Sequence, residues 1–256
     1  MIAITFALPA ESSELVRKMG DKHANPTTGA GLLRLEGQDI AVCHTGVGRG
    51  HCRRALNSFL SGVRPEFLIS SGFAGSLSPT LNVGDVFLAR NYSDPRLTTR
   101  MEGGAPAPPP DPGVRLGPGS RKVAPSSDRL RFHWGTILTI DAIAHSREER
   151  ERLAQQHQAD AVDMETDVIA EICRARAIPM LSLRVISDSP ADPFPAPPDV
   201  LFDVARQQTN FGTLIPYLLG HPSAMMGLMK FAKRIKNVRA ILADTLVEIV
   251  GLLPKG

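Results

Sequence analysis

A single α/β domain, with a mixed central sheet flanked by helices and a C-terminal helical extension, is the fold this sequence predicts. Two observations carry the prediction. Short apolar runs of strand length recur between segments with helical spacing, from IAITFAL at residues 2–8 to IPMLSLRVISD at 178–188. Those runs are continuously apolar rather than alternating, as in strands buried on both faces. The size is compatible, since 256 residues, 43% hydrophobic and 21% charged, suffice for a sizeable core.

The elements follow in order. IAITFAL reads as a buried strand, and PAESSELVRKM after it as a helix with proline at its start. Residues 31–36 and 39–45 read as a hairpin through Glu36-Gly37-Gln38. TGVGRG leads into the helix HCRRALNSFLSG, closed by Gly62. PEFLISSGFAGSL reads as a buried strand entering a glycine turn, and GDVFLAR as another strand. Residues 94–128 are rich in proline and glycine, lack periodicity and read as an irregular insert. WGTILTI resumes the sheet. SREERERLAQQH is a charged helix, Ala161 and Val162 are a short strand approach, and ETDVIAEICRARA is an amphipathic helix. The domain is expected to span 1–218, with 219–256 as the amphipathic tail.

The net charge of +3 is too small to suggest a nucleic-acid partner. Cys43, Cys52 and Cys173 form no CxxC pair and have no histidine ligand pattern nearby, so no metal or cofactor is expected and the compartment reads as cytoplasmic. His51, His145 and His157 lack ligand spacing. No apolar run reaches the roughly 18–20 residues of a membrane span, and the N-terminus is too short for a signal segment.

In sheets of this kind ligands bind beyond the carboxyl ends of the strands. ALPAE, SSGFAGS, VDMET and VISDSPAD therefore become one candidate site. Asp188 ends a mostly apolar strand, where partial desolvation would raise its pKa and let it hold a proton near neutral pH, although a turn-capping role explains it equally. Glu165 opens a helix, where the dipole alone favours a carboxylate. Met164 beside Asp163 is unexplained by that. A carboxylate receiving two hydroxyls, with a thioether against an apolar sugar face, would account for all three. Glu11 is ambiguous between a first-turn acid and a general base. The glycines of TGVGRG lack the lysine and hydroxyl residue of a P-loop and are a weak phosphate signal.

Taken together, ALPAE, TGVG, SGFAG with Leu81-x-Val83-Gly84-Asp85 after it, VDMET and RVISDSPAD resemble the nucleoside phosphorylase and nucleosidase superfamily, over residues 1–90 and 134–190. The resemblance implies that Met164 and Glu165 hold a ribose, that Asp188 protonates a purine ring nitrogen of the leaving base, and that Glu11 orients the attacking water. It places Asp163, Ser71, Gly72, Phe73, Ala74, Ile143 and Ser187 around the substrate, and it implies a homodimer. Breaking an N-ribosidic bond gives the sugar oxocarbenium character, which suits paired carboxylates. Phosphorolytic members use arginines and a serine for phosphate. Ser70 and Phe73 stand where an arginine and the serine are expected, which favours water over phosphate as the nucleophile. Phe73 and Ile143 also depart from the adenine-nucleosidase pattern, which opens the choice of 5′ substituent or base.

Asp163, the TIDAIAHS segment and LIPYLLGHPSAMMGLMKFAKR resemble more narrowly the hopanoid-associated phosphorylases, linked to adenine release from adenosylhopane, a lipid-bearing nucleoside. Independently, Val204 to Ala243 has no acidic residue, while lysines and arginines lie among Met225, Met226, Leu228, Met229, Phe231 and Ile235. Such a helix reads either as a peripheral membrane contact or as a packing or dimer helix with solvated charges. The expected activity is hydrolysis of an adenine-type nucleoside with a bulky or apolar 5′ group. The alternatives are phosphorolysis on the same fold and a nucleoside-binding module without catalysis.

Overall fold

The opening apolar run becomes β1 (Ile2–Phe6), buried at every residue. In this computed structural model the residues described are 1–19, 23–24, 31–35, 37–102, 132–144, 146–191, 200, 202–203, 208–209 and 222–253. On one side β1 pairs in parallel with β4 (Gln38–His44), which forms the expected hairpin with β3 (Gly31–Leu35). Gly37 turns that hairpin with φ +83°, a conformation open to glycine. A two-residue strand, β2 (His23–Ala24), extends this edge. On its other side β1 pairs in parallel with β5 (Phe67–Ser76), and β5 in turn with β10 (Met180–Asp188). Beyond β10 lie the antiparallel β6 (Val86–Ala89) and then β7 (His133–Gly135). A branch of β8 (Ile137–Thr139) and β9 (Ala161–Asp163) joins the far end of β5. A separate pair, β11 (Phe202–Asp203) and β12 (Gln208–Thr209), completes the strands.

Among the described residues the helices are α1 (Pro9–Met19), α2 (Arg49–Gly62), α3 (Pro95–Glu102), α4 (Arg147–His157), α5 (Thr166–Ala175) and α6 (Pro222–Leu252). They divide the core. One face of the sheet packs on α1 and α6 through Leu15, Val238, Leu242, Leu246 and Ile249. The other packs on α2 and α5 through Leu56, Phe59, Val168, Ile169 and Ile172. All three cysteines are buried and free.

WGTILTI resumes the sheet as expected, in two pieces: β7 pairs with β6 and β8 with β9, breaking at Thr136. Two expectations change. SSGFAGS is not a turn, because β5 runs on through Gly72 and Gly75 to Ser76. The stretch from residue 94 is not irregular throughout. Asp94 accepts the Arg96 amide at 2.9 Å, Pro95 starts α3, and Leu97 and Met101, four residues apart, are buried. Residues 103–128 of the expected insert lie outside the described residues. The C-terminal helix is present, and its second half belongs to the main core.

Candidate active site

Four strand ends meet at one place. The carboxyl ends of β1, β5, β9 and β10, with the loop after β4, surround a cavity of about 460 Å³. Its wall includes Glu11, Phe73, Ala74, Ile143, Met164, Glu165, Ser187 and Asp188. Beside it, a pocket of about 30 Å³ lies between Glu11 and Glu165, closed by Thr5, Thr45, Ser71, Gly72 and Arg184. That volume suits about one or two water molecules.

The junction of β9 and α5 divides its acidic residues by task. Asp163, buried, accepts from Thr139 Oγ1 at 2.8 Å and from the Thr166 amide at 3.1 Å, and is ion-paired with the buried Arg184 at 2.8 Å. It supplies the acceptor for the first turn of α5. Glu165 stands at the N-cap position but makes no side-chain capping bond. Its carboxylate turns instead to the backbone amide of Gly48, at 2.6 Å. Gly48 can present that amide because its φ is +87°, and Gly46 before it is at +75°. Gly48 of the TGVG segment thus holds a carboxylate. Asp163 thus caps the first turn of α5, and Glu165 is left facing the cavity.

Burial without a matched cation shapes the two cavity carboxyls. Desolvation pushes Glu165 up to about 8, aided by the negative charge of Asp163 and opposed by the Gly48 amide. Glu11 rises to about 7 through desolvation, against the amides of Leu8 and Ala7; the Ala7 amide donates to its Oε2 at 3.0 Å. Gly72 lets Glu11 lie flat on β5, since a Cβ there would stand 3.3 Å from Glu11 Oε2, and its φ is +151°.

Asp188 differs from the lone desolvated acid that its strand end suggests. It is buried, accepts from Ser187 Oγ at 2.6 Å, and forms an ion pair with Arg150 of α4, itself 2% exposed. Arg150 is also tied to the carbonyl of Ser76 at 3.0 Å. Gly75 makes room for the pair: a Cβ there would come 2.9 Å from Asp188 Oδ2 and 3.1 Å from Arg150 Nη1.

The structure brings every expected site residue to one of the two spaces. Ser71 and Gly72 border only the small pocket, where Ser71 Oγ donates to the carbonyl of Thr5 at 2.8 Å. Sequence reading missed Arg150, Arg184, Gly48 and the inner face of α6. An arginine inside the apolar run of β10 was a signal for Arg184, because a charge is buried only with a partner. Arg150 carries no such mark, standing in a helix charged all round. Leu228, Phe231, Ile235 and Arg239 line the cavity from one stripe of α6, while Met225, Met226 and Met229 are exposed. Among the described residues no group of three or more His, Cys, Asp and Glu side chains is placed to hold a metal ion.

Comparison with known proteins bears on the fold and the family. The 5′-methylthioadenosine/S-adenosylhomocysteine nucleosidase of Staphylococcus epidermidis is 26% identical over 196 residues, covering 73% of this chain and 86% of that protein. The protein of that name from Actinobacillus succinogenes is 29% identical over 201 residues, covering 73% and 85%. Among solved structures, futalosine hydrolase of Helicobacter pylori superposes with a TM-score of 0.67 at 18% identity, covering 98% of this chain and 97% of that one. The nucleosidase of the same organism gives 0.67 at 19%, covering 98% of each chain. Likeness at that identity speaks to the fold. The model of the Phosphorylase superfamily matches residues 1–215, most of the chain and all of the cavity wall but the part from α6, and the chain belongs to that superfamily.

Proposed function

We propose that the chain is a nucleosidase that hydrolyses the N-ribosidic bond of an adenine-type nucleoside carrying a bulky or apolar 5′ substituent. The observation that carries this reading is the pair Glu11 and Glu165 around a pocket of about 30 Å³, opening on a cavity whose wall also includes Asp188. In this reading Glu165 and Met164 hold the ribose, and Glu11 receives the proton of a water seated in the small pocket. The C1′–N9 bond breaks with its electron pair passing to the base at Asp188, and the water oxygen bonds to C1′. Asp163, whose oxygens are engaged by Thr139, Thr166 and Arg184, positions Glu165 rather than touching sugar. Water is favoured over phosphate because the small pocket is of the size of one or two waters and Arg184 is already paired with Asp163. The curated relatives named above carry nucleosidase names, which also supports hydrolysis. Adenine release from nucleosides that differ only at the 5′ position tests the reading. Faster turnover of those with long apolar groups is expected; no release from any nucleoside would leave a binding module instead.

Leu228, Phe231 and Ile235 give the cavity an apolar flank, in keeping with an apolar 5′ group, for which adenosylhopane is the candidate named by the narrower resemblance. The exposed Met225, Met226 and Met229 stand beside the exposed Lys230, Lys233 and Lys236, the composition of an interfacial face. We further propose that this half of α6 rests on anionic membranes. Replacing the three methionines by serine should then reduce co-sedimentation with anionic vesicles, and unchanged sedimentation would sink this part. Among the described residues no helix is long and apolar enough to cross a membrane.

A further inference from the structure

Within β1, Ile2, Ala3, Ile4 and Phe6 are apolar and buried, and Thr5 among them carries a hydroxyl. Side chains alternate along a strand: Ile2, Ile4 and Phe6 pack on the α1 and α6 side, Ala3 on the α2 and α5 side. Thr5 therefore shares the face of Ala3. It is 0% exposed, and its Oγ1 is buried with no hydrogen-bond partner among the described residues. A buried hydroxyl without a partner is unfavourable, so its partner belongs in the space it borders, the pocket of about 30 Å³ between Glu11 and Glu165. We infer that Thr5 positions the attacking water: Oγ1 accepts one of its hydrogens while Glu11 takes the other. The inference rests on the nucleosidase reading above and adds a residue to it.

The other neutral and cationic polar groups of the pocket wall are already engaged. Thr45 Oγ1 donates to the Phe6 carbonyl at 3.2 Å, and Ser71 Oγ to the Thr5 carbonyl at 2.8 Å. The Arg184 guanidinium donates to the carbonyls of Ser70 and Leu183 and to Asp163. Glu11 and Glu165 each accept a backbone amide on one oxygen, from Ala7 and Gly48, and the second oxygen of each accepts no bond among the described residues. A water seated there thus meets three groups with bonding capacity left, Thr5, Glu11 and Glu165, and three is about the usual number for a buried water.

A row of hydroxyls crosses the sheet at this level, since Thr5 is paired with Ser70 and Ser70 with Ser182. Ser70 Oγ accepts from Arg184 Nη2 at 3.0 Å. Ser182 Oγ, like Thr5 Oγ1, has no partner among the described residues, but Ser182 borders neither of the two spaces. Position beside Glu11, and not burial of a hydroxyl as such, sets Thr5 apart.

With one hydrogen held by Thr5 and the other by Glu11, the water oxygen keeps its lone pairs for C1′. As the O–C1′ bond forms, one hydrogen passes to Glu11 and the other stays on the oxygen, in the new sugar hydroxyl. The base departs with the electron pair of the C1′–N9 bond and takes up one proton, equal to that received by Glu11. Holding a nucleophile in place is a positional contribution, so its loss falls on turnover rather than on substrate binding.

Three variants test this. Thr5→Val removes the hydroxyl at nearly constant shape, Thr5→Ser keeps it, and Ser182→Ala removes the hydroxyl that borders neither space. Steady-state kinetics use the adenine nucleoside that the wild type cleaves fastest, and melts accompany them. Thr5→Val should lose roughly 10- to 10²-fold in kcat, with KM little changed and Tm not lowered. Thr5→Ser should keep most of the turnover and Ser182→Ala all of it. Wild-type kcat in Thr5→Val overturns the inference, as does an equal loss in Ser182→Ala or a loss confined to KM. A hydroxyl that binds only a structural water would shift Tm and leave kcat alone. If the valine variant does not fold, Thr5→Ala replaces it with the same expectation for kcat. A wild type that cleaves no nucleoside refutes the nucleosidase reading and the inference with it; an active wild type matched by Thr5→Val refutes the inference alone.

Discussion

Glu165 is half-buried and Asp188 buried, and the two carboxylates should respond oppositely to neutralisation. Glu165 is raised from its ordinary 4.5 to about 8. Below 4.5 both folded and unfolded chains hold its proton and its burial adds no charge penalty. Between 4.5 and about 8 the unfolded chain gives the proton up first, so stability declines as pH rises through this window. Glu165→Gln removes the penalty: its Tm should exceed that of the wild type at pH 9 and match it at pH 4, while turnover falls by ~10²-fold or more. Asp188→Asn should lose turnover similarly but leave Arg150 buried and unpaired, costing about 3–5 kcal/mol. Paired melts and rate assays check both; a Glu165→Gln protein less stable than wild type at pH 9 would contradict this electrostatic account. Glu11, raised to about 7, must be ionised to accept a proton from water, so kcat/KM should rise as pH increases through about 7. Asp163, Met164 and Glu165 were conspicuous in the sequence as a polar end to an apolar strand. Which of them faces the cavity was not, because it depends on the Gly48 amide from 117 residues away in the chain.

At the scale of elements, α6 is the least anticipated piece. Its composition led to a choice between a membrane face and a packing helix, and the structure divides the helix between several surroundings. Val238, Leu242, Leu246 and Ile249 enter the core, Leu228, Phe231 and Ile235 face the cavity, and the methionines are exposed. One helical wheel cannot say which of several apolar stripes meets what. Because the second half is core, deleting the helix would unfold the domain and test nothing about the first half. Phe231→Ala widens the cavity instead. It should raise KM for nucleosides with long apolar 5′ groups by about tenfold and leave unsubstituted adenosine nearly unaffected, as steady-state kinetics would reveal; equal effects on both would remove α6 from the substrate wall. The loss of a partly buried apolar contact of this size is worth roughly 1–3 kcal/mol. Helix α3, by contrast, was written in Asp94, Pro95, Leu97 and Met101, and was hidden only by the proline-rich stretch that follows it.

For the whole molecule, alternation of apolar runs and helical segments was enough to predict a mixed sheet covered on both faces, and with it the convergence of strand ends into a site. Pairings that depend on distant partners were not legible. β5 continues through SGFAG because β10 and β9 hydrogen-bond to it there, overriding the local turn preference of glycine. The antiparallel β6 and the split of WGTILTI have the same origin. The small pocket between Glu11 and Glu165 is a further product of this assembly, formed where β1, β5, α5 and β10 meet, and the choice of nucleophile rests on it. Identifying the sugar product of a single nucleoside, with and without inorganic phosphate, tests that choice most directly. Free sugar formed at a rate independent of phosphate is the predicted result; a sugar 1-phosphate whose formation requires phosphate would contradict it.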